Sequence, residues 1–181
     1  MSEIGEKIES LIAADDWTEA RKIITNALSE SPEDHWLLSR LALTFYEQFD
    51  YEKALEYDAK ALSYAPHCPL ALWGYAGSLE MLDRQNEAIK IYRRLIRRGA
   101  KAIAYGECGE GLARARGLVA DSLYRVASCY ESLGRRRQAA KFYEQHLAER
   151  GAGCHSIYSL REVRQEFKDL RRKPSLIEGT T

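Results

Sequence analysis

The side chains in this chain best suited to hold a metal or act as nucleophiles are four histidines, His35, His67, His146 and His155, and four cysteines, Cys68, Cys108, Cys129 and Cys154. Two pairs are adjacent, His67-Cys68 and Cys154-His155. Structural zinc sites use CxxC- or HxxxH-type spacing, which is missing here, and neighbours on a helix point apart. No spacing joins a Cys, a His and an orienting group into a nucleophilic site. Gly106, Gly109 and Gly111 form a glycine cluster. A phosphate loop needs a preceding strand and a helix N-terminus, whereas these flanks read as helical and Glu107 and Glu110 would repel phosphate. Arg93, Arg94, Arg97, Arg98 and Lys101 form one basic cluster, and Arg135, Arg136, Arg137 and Lys141 another. With Tyr92, Tyr105 and Tyr143 nearby they could contact RNA, although Arg-rich outer helix faces commonly serve solvation alone. These residues call for no metal, no cofactor and no catalytic chemistry, and nucleic acid stands as the secondary alternative.

The elements that would position any site are set by a period of 34 residues. Ala20, Ala54 and Ala88 are 34 apart, as are Ala27 and Ala61, Pro32 and Pro66, and Trp17 and Tyr51. Between these marks the apolar residues recur at three and four, the helical spacing. The segment 36–46 shows it, with Trp36, Leu37, Leu41 and Tyr46 beside a second stripe of Leu38, Ala42 and Phe45. Turns fall at Asp15-Asp16, Phe49-Asp50, Asp83-Arg84 and Gly134-Arg135. Asp accepts hydrogen bonds from the free amides of a helix start, Gly suits a helix end, and Pro stops a helix. A 34-residue period predicts paired helices stacked into a solenoid.

The pattern resembles the tetratricopeptide repeat (TPR) family. The unit 35–68 matches it best, with Leu38, Leu41-Ala42 and Phe45 in its first helix and Ala54, Tyr57, Ala61 and Pro66 in and after its second. The unit 1–34 keeps Ile4, Leu11, Ala20, Ile24, Ala27 and Pro32. The unit 69–102 keeps Leu72, Tyr75-Ala76, Leu79, Ala88 and Tyr92. A fourth unit, 119–152, has Leu123, Val126-Ala127, Tyr130, Ala139 and Tyr143, offset by 34 plus 17 residues from the third. The resemblance implies an all-α fold: a right-handed helical-hairpin solenoid of about four units closed by a capping helix. It implies a non-catalytic scaffold that takes a peptide or protein segment in a concave groove. Groove positions carried over from the family are Trp36, Ser39, Leu43 and Tyr46, then Leu70, Trp73, Gly77 and Glu80, then Asp121, Tyr124, Ser128 and Glu131. In the first unit they are Ser2, Gly5, Glu9 and Ile12. Trp36, Tyr46, Trp73 and Tyr124 would form an aromatic strip, the residue type favoured as a binding anchor; Trp36 and Trp73 could instead pack between repeats. Chaperone-binding members clamp a terminal carboxylate with Lys, Asn and Arg. Here those places hold Gly5, Glu9, Leu43, Trp73 and Gly77, so Hsp70- or Hsp90-type tail recognition is not expected. A small TPR chaperone of the type III secretion class is the alternative within the binding proteins.

Charged residues make up 30% and hydrophobic residues 45% of the 181, as in a soluble helical protein with charged outer faces. No run approaches the ~20 apolar residues of a membrane span, and the start has no apolar signal core. Scattered cysteines suggest a reducing cytoplasm. A net charge of zero hides a division: residues 1–90 hold 8 Lys/Arg and 17 Asp/Glu, residues 91–181 hold 19 and 10. A solenoid keeps sequence order in space, so it would carry an acidic end and a basic end, open to head-to-tail self-association or to a partner of matching polarity. One array is expected over 1–173, with an insertion at 101–118, a capping helix at 156–173 and a disordered tail at 174–181. In the insertion, Leu112, Val119 and Val126 are seven apart. The fourth unit's first helix could therefore start early, near Glu110, or a separate short helix could break at Gly117, which costs roughly 1 kcal/mol inside a helix. The insertion is expected to border the groove.

Overall fold

The computed structural model describes residues 2–172, which leaves the expected tail at 174–181 outside the described residues. Those residues form nine helices and no strand. They group into two compact units, Met1–Arg84 and Gln85–Thr181, so the division falls within the third 34-residue repeat.

The first unit contains α1 (Glu3–Ala13), α2 (Trp17–Glu30), α3 (His35–Tyr46), α4 (Tyr51–Tyr64) and α5 (Pro69–Met81). Each helix packs on its successor, and α3 also packs on α5, so the first helices of successive hairpins lie side by side. The turns repeat as the sequence does. Asp15, Phe49 and Asp83 all have positive φ, and Gly134 repeats the conformation 51 residues on. Each turn is closed by one backbone bond across six residues: Asp16 to Leu11 O, Asp50 to Phe45 O, Arg84 to Leu79 O, Arg135 to Tyr130 O. Such a bond satisfies a carbonyl that the helix end leaves free. Asp16 and Asp50 then cap the next helices through Glu19 N–H and Lys53 N–H, and Asp34 caps α3 through the amides of Trp36 and Leu37. Ala20, Ala54, Ala88 and Ala139 are fully buried. A methyl group there lets paired helices approach closely.

One core position departs from the repeat. Ile24, Tyr92 and Tyr143 are buried at matching places, but the equivalent residue of the second hairpin is Asp58, 3% exposed. Tyr57, expected in that role from the sequence, lies one residue off and stacks flat on Phe45 at 5.4 Å. Asp58 fits because Gly74 of α5 faces it, where any Cβ would overlap the carboxylate. Burial raises the Asp58 carboxyl well above the usual range.

The second unit contains α6 (Gln85–Ala104), α7 (Leu112–Ser132), α8 (Arg136–Gly151) and α9 (Leu160–Arg172), each packed on the next. The helix α6 is broken at Gly99, whose φ of 73° and ψ of 157° only a residue without Cβ takes readily. The 17 extra residues lie around the end of α6, the loop 105–111 and the first two turns of α7. The helix α7 starts at Leu112 and runs unbroken through Gly117, so no separate short helix ends there. The closing helix starts at Leu160, within the segment 156–173, and before it the Ser156 hydroxyl accepts the Tyr158 N–H at 3.0 Å.

Two predictions concern the first unit. A raised carboxyl pKa means that the folded state keeps a proton the unfolded chain has lost. Stability should therefore fall as pH rises above about 4, until the folded carboxyl also ionises. Asp58→Asn should flatten that slope in urea titrations between pH 4 and pH 8, and Gly74→Ala should destabilise native Asp58 more than Asp58→Ala; additive effects would refute the contact. Phe49 is 78% exposed and holds φ at 64°, a strained value for a bulky residue. Phe49→Gly should stabilise by about 1 kcal/mol, and a lowered melting temperature would count against it.

Candidate functional site

In the first unit the sequence-derived residues Trp36, Ser39, Leu43 and Tyr46 come from α3, and Trp73, Gly77 and Glu80 from the adjacent α5. Trp36, Leu43, Tyr46, Trp73 and Glu80 are half-buried, while Ser39 and Gly77 are buried. The Tyr46 ring lies over Gly77, within 3.5 Å of where a Cβ would stand. It also meets Tyr51 edge-on at 5.3 Å, and exposed Phe49 meets Tyr51 in turn. Trp36 packs partly on the core of Ile8, Ala20, Ile24, Leu37 and Leu41. Its ring carries the Arg40 guanidinium at 5.3 Å, and Arg40 pairs with Glu9 of α1 at 2.6 Å. Glu9 was one of the first unit's groove positions; another, Ser2, caps α1 through Gly5 N–H, and Ile12 packs on the core. The result is a wall with half-exposed aromatic and aliphatic surface, edged by one ion pair.

In the second unit the equivalent residues are covered by the chain itself. Asp121 is 6% exposed, and its Oδ2 accepts the Ile157 N–H at 3.5 Å. Tyr124 stacks on Tyr158 with ring centroids 3.9 Å apart and donates its hydroxyl to Glu166 of α9. Ser128 is half-buried, and Glu131 accepts the hydroxyl of Tyr143 at 3.1 Å. Burial raises Asp121 and Glu166; it also pushes up Tyr124, helped by Glu166, and Tyr143, helped by Glu131 and Glu166. His146 is 0% exposed and burial lowers its pKa. Its Nδ1 sits 2.7 Å from Ala120 O; a carbonyl only accepts, so Nδ1 carries a proton. These groups join α7, α8 and α9. The family resemblance implied Asp121 and Tyr124 as groove residues because it identifies the helix face. It carries no signal for Tyr158 and Glu166, which lie outside the repeat.

In the first unit the ligand atoms of His35 and Cys68 lie within 4.8 Å of one another, whereas the adjacent His–Cys pairs do not share a face. His67 is exposed while Cys68 is buried, and Cys154 is buried while His155 is exposed. Arg135 donates to Asn86 and Arg136 to Leu170 O, so part of the second basic cluster holds helices together. Tyr158→Ala should uncover Tyr124 and cost about 2 kcal/mol in thermal unfolding. An unchanged melting temperature would show that the stacked rings hold nothing in place.

Profiles described as Tetratricopeptide repeat match residues 70–98 and residues 122–153. No curated protein matches the chain. Among solved structures it is similar to a crystal structure of MamA protein, at 19% identity and a TM-score of 0.66, covering 93% of this chain and 82% of that one. A second crystal structure of MamA aligns at 18% identity and a TM-score of 0.63, covering 90% and 91%. A MamA RS-1 ArsTM double mutant aligns at 15% and 0.52, covering 93% of each chain. At such identities the likeness concerns the fold, and it agrees with the stacked hairpins described above. With the 34-residue period and its recurring turns, the two matched stretches show that residues 70–98 and 122–153 are tetratricopeptide repeats.

Proposed function

We propose that the chain is a non-catalytic scaffold that holds a segment of another protein against the first-helix face of its N-terminal unit. The observation that carries this is the half-exposed strip of Trp36, Leu43, Tyr46 and Trp73 on the adjacent helices α3 and α5. Aromatic side chains bury large area at small entropic cost, so such a strip suits anchors from a peptide laid along it. Asp121, Tyr124 and Ser128 contribute less, because Ile157, Tyr158 and Glu166 already engage that part of the second unit.

The chemistry of the face narrows the ligand. Gly5, Glu9, Leu43, Trp73 and Gly77 supply neither a cation nor an Asn, so a terminal carboxylate would lose its hydration without gaining charged donors. The unit holds seven Lys/Arg against sixteen Asp/Glu. An apolar segment flanked by Lys or Arg is the complementary guest, and a second copy of the chain, docked by its basic half, is one source of it. Binding is an equilibrium with no chemical step. A cytoplasmic setting agrees with the scattered cysteines, and no described helix is long and apolar enough to cross a membrane.

The test is quantitative capture with purified full-length variants. Trp36→Ala and Trp73→Ala should each weaken binding of the captured protein about tenfold or more. Tyr124→Phe should leave capture unchanged. Equal capture by all three variants and the native chain would remove the proposal, and recovery of RNA in place of protein would favour the basic half as the functional surface.

A further inference from the structure

The second unit contains a cleft of about 650 Å³ that belongs to no part of the first-helix face. Ile96 of α6, Leu112, Val119 and Leu123 of α7, and Ala148 of α8 make its apolar wall. Two departures from the 34-residue repeat build it. The break at Gly99 turns the end of α6, and the inserted residues lengthen α7 by the two turns that carry Leu112 and Arg116. A regular hairpin lacks both, so the cleft is particular to this part of the chain.

Its rim is charged. Lys101 and Arg116 stand on the α6 and α7 sides, with Glu149 on α8 as the lone acid of the lining. Arg116 is fixed in place by donating to Ala152 O at 3.3 Å. Arg93 lies one turn from Ile96 on the same side of α6, and Arg97 donates back to Arg93 O. Arg93, Arg97 and Lys101 are exposed. The unit as a whole holds twenty Lys/Arg against eleven Asp/Glu. An apolar trough beside a cationic helix edge is complementary to one shape of guest. We infer that this cleft is a second docking site, and that its occupant is an acidic amphipathic helix of a partner protein: apolar side chains enter between Ile96, Leu112 and Leu123, and flanking Asp or Glu residues pair with Lys101, Arg116 and Arg93. The volume lies in the range of sites that take a few buried side chains, and helix-in-groove recognition needs no more than such anchors.

The experiment uses the full chain and a defined probe: a fluorescein-labelled helical peptide with Leu at positions i, i+3, i+4 and i+7 and Glu elsewhere, followed by anisotropy. Its competitors are the same peptide with Lys for Glu, the same peptide with Ser for Leu, and a short single-stranded RNA. The acidic Leu peptide should bind, weaken as salt is raised from about 50 to about 300 mM, and outcompete all three. Lys101→Glu and Leu112→Glu, both at exposed positions, should each reduce its affinity about tenfold or more. Arg137→Glu makes the same change in net charge away from the cleft and should have little effect. Melting curves confirm that the variants fold. Equal loss with Arg137→Glu would reduce the effect to overall charge and overturn the site. So would equal binding of the Lys peptide, or RNA as the preferred ligand. Trp36→Ala should not alter the result, which separates failure here from failure of the first-helix face.

Discussion

The fold depends on the close approach of two helices at a methyl group. Ala20, Ala54, Ala88 and Ala139 are all fully buried, and each sits where a larger side chain would push a hairpin apart. With that spacing fixed, the rest follows by repetition. The same turn with positive φ closes each hairpin, the same six-residue bond secures it, and two of the four following helices begin on a capping Asp. A hairpin of this kind cannot bury both of its faces alone, so stacking is what supplies the core. In the first unit stacking also sets α3 beside α5, which brings Trp36, Leu43, Tyr46 and Trp73 onto adjacent helices.

The two units treat the first-helix face differently. In the first, α3 and α5 present Trp36, Leu43, Tyr46 and Trp73 half-exposed. In the second, the segment after α8 folds back: Ile157 satisfies Asp121, Tyr158 covers Tyr124, and Glu166 takes the tyrosine hydroxyl. A buried carboxylate without donors is costly, so the contacts at Asp121 and Glu166 hold the closing helix in a defined place. The last hairpin gains a solvent-facing cover.

Much of the fold was legible in the sequence because the repeat is written in small and apolar residues whose spacing survives without context. The hairpin turns at Phe49 and Gly134, the helical register of 36–46 and the placing of the groove candidates on α3 and α5 all follow from it. Three things were not legible, each for a physical reason. The burial of Asp58 carries no sequence signal because it depends on Gly74, sixteen positions away and in another helix. The continuity of α7 through Gly117 depends on packing, which outweighs a propensity cost of about 1 kcal/mol. The covering of Asp121 and Tyr124 depends on residues outside the period, where spacing carries no information about contact.

The central claim is that a protein segment lies on the first-helix face of the N-terminal unit. The most direct measurement is photocrosslinking in cells from a benzophenone amino acid at Leu43, with Lys60 on the outer side of α4 as the comparison. The account predicts one discrete protein adduct from position 43 and none from 60. Adducts of equal yield from both positions, or from 60 alone, would contradict it.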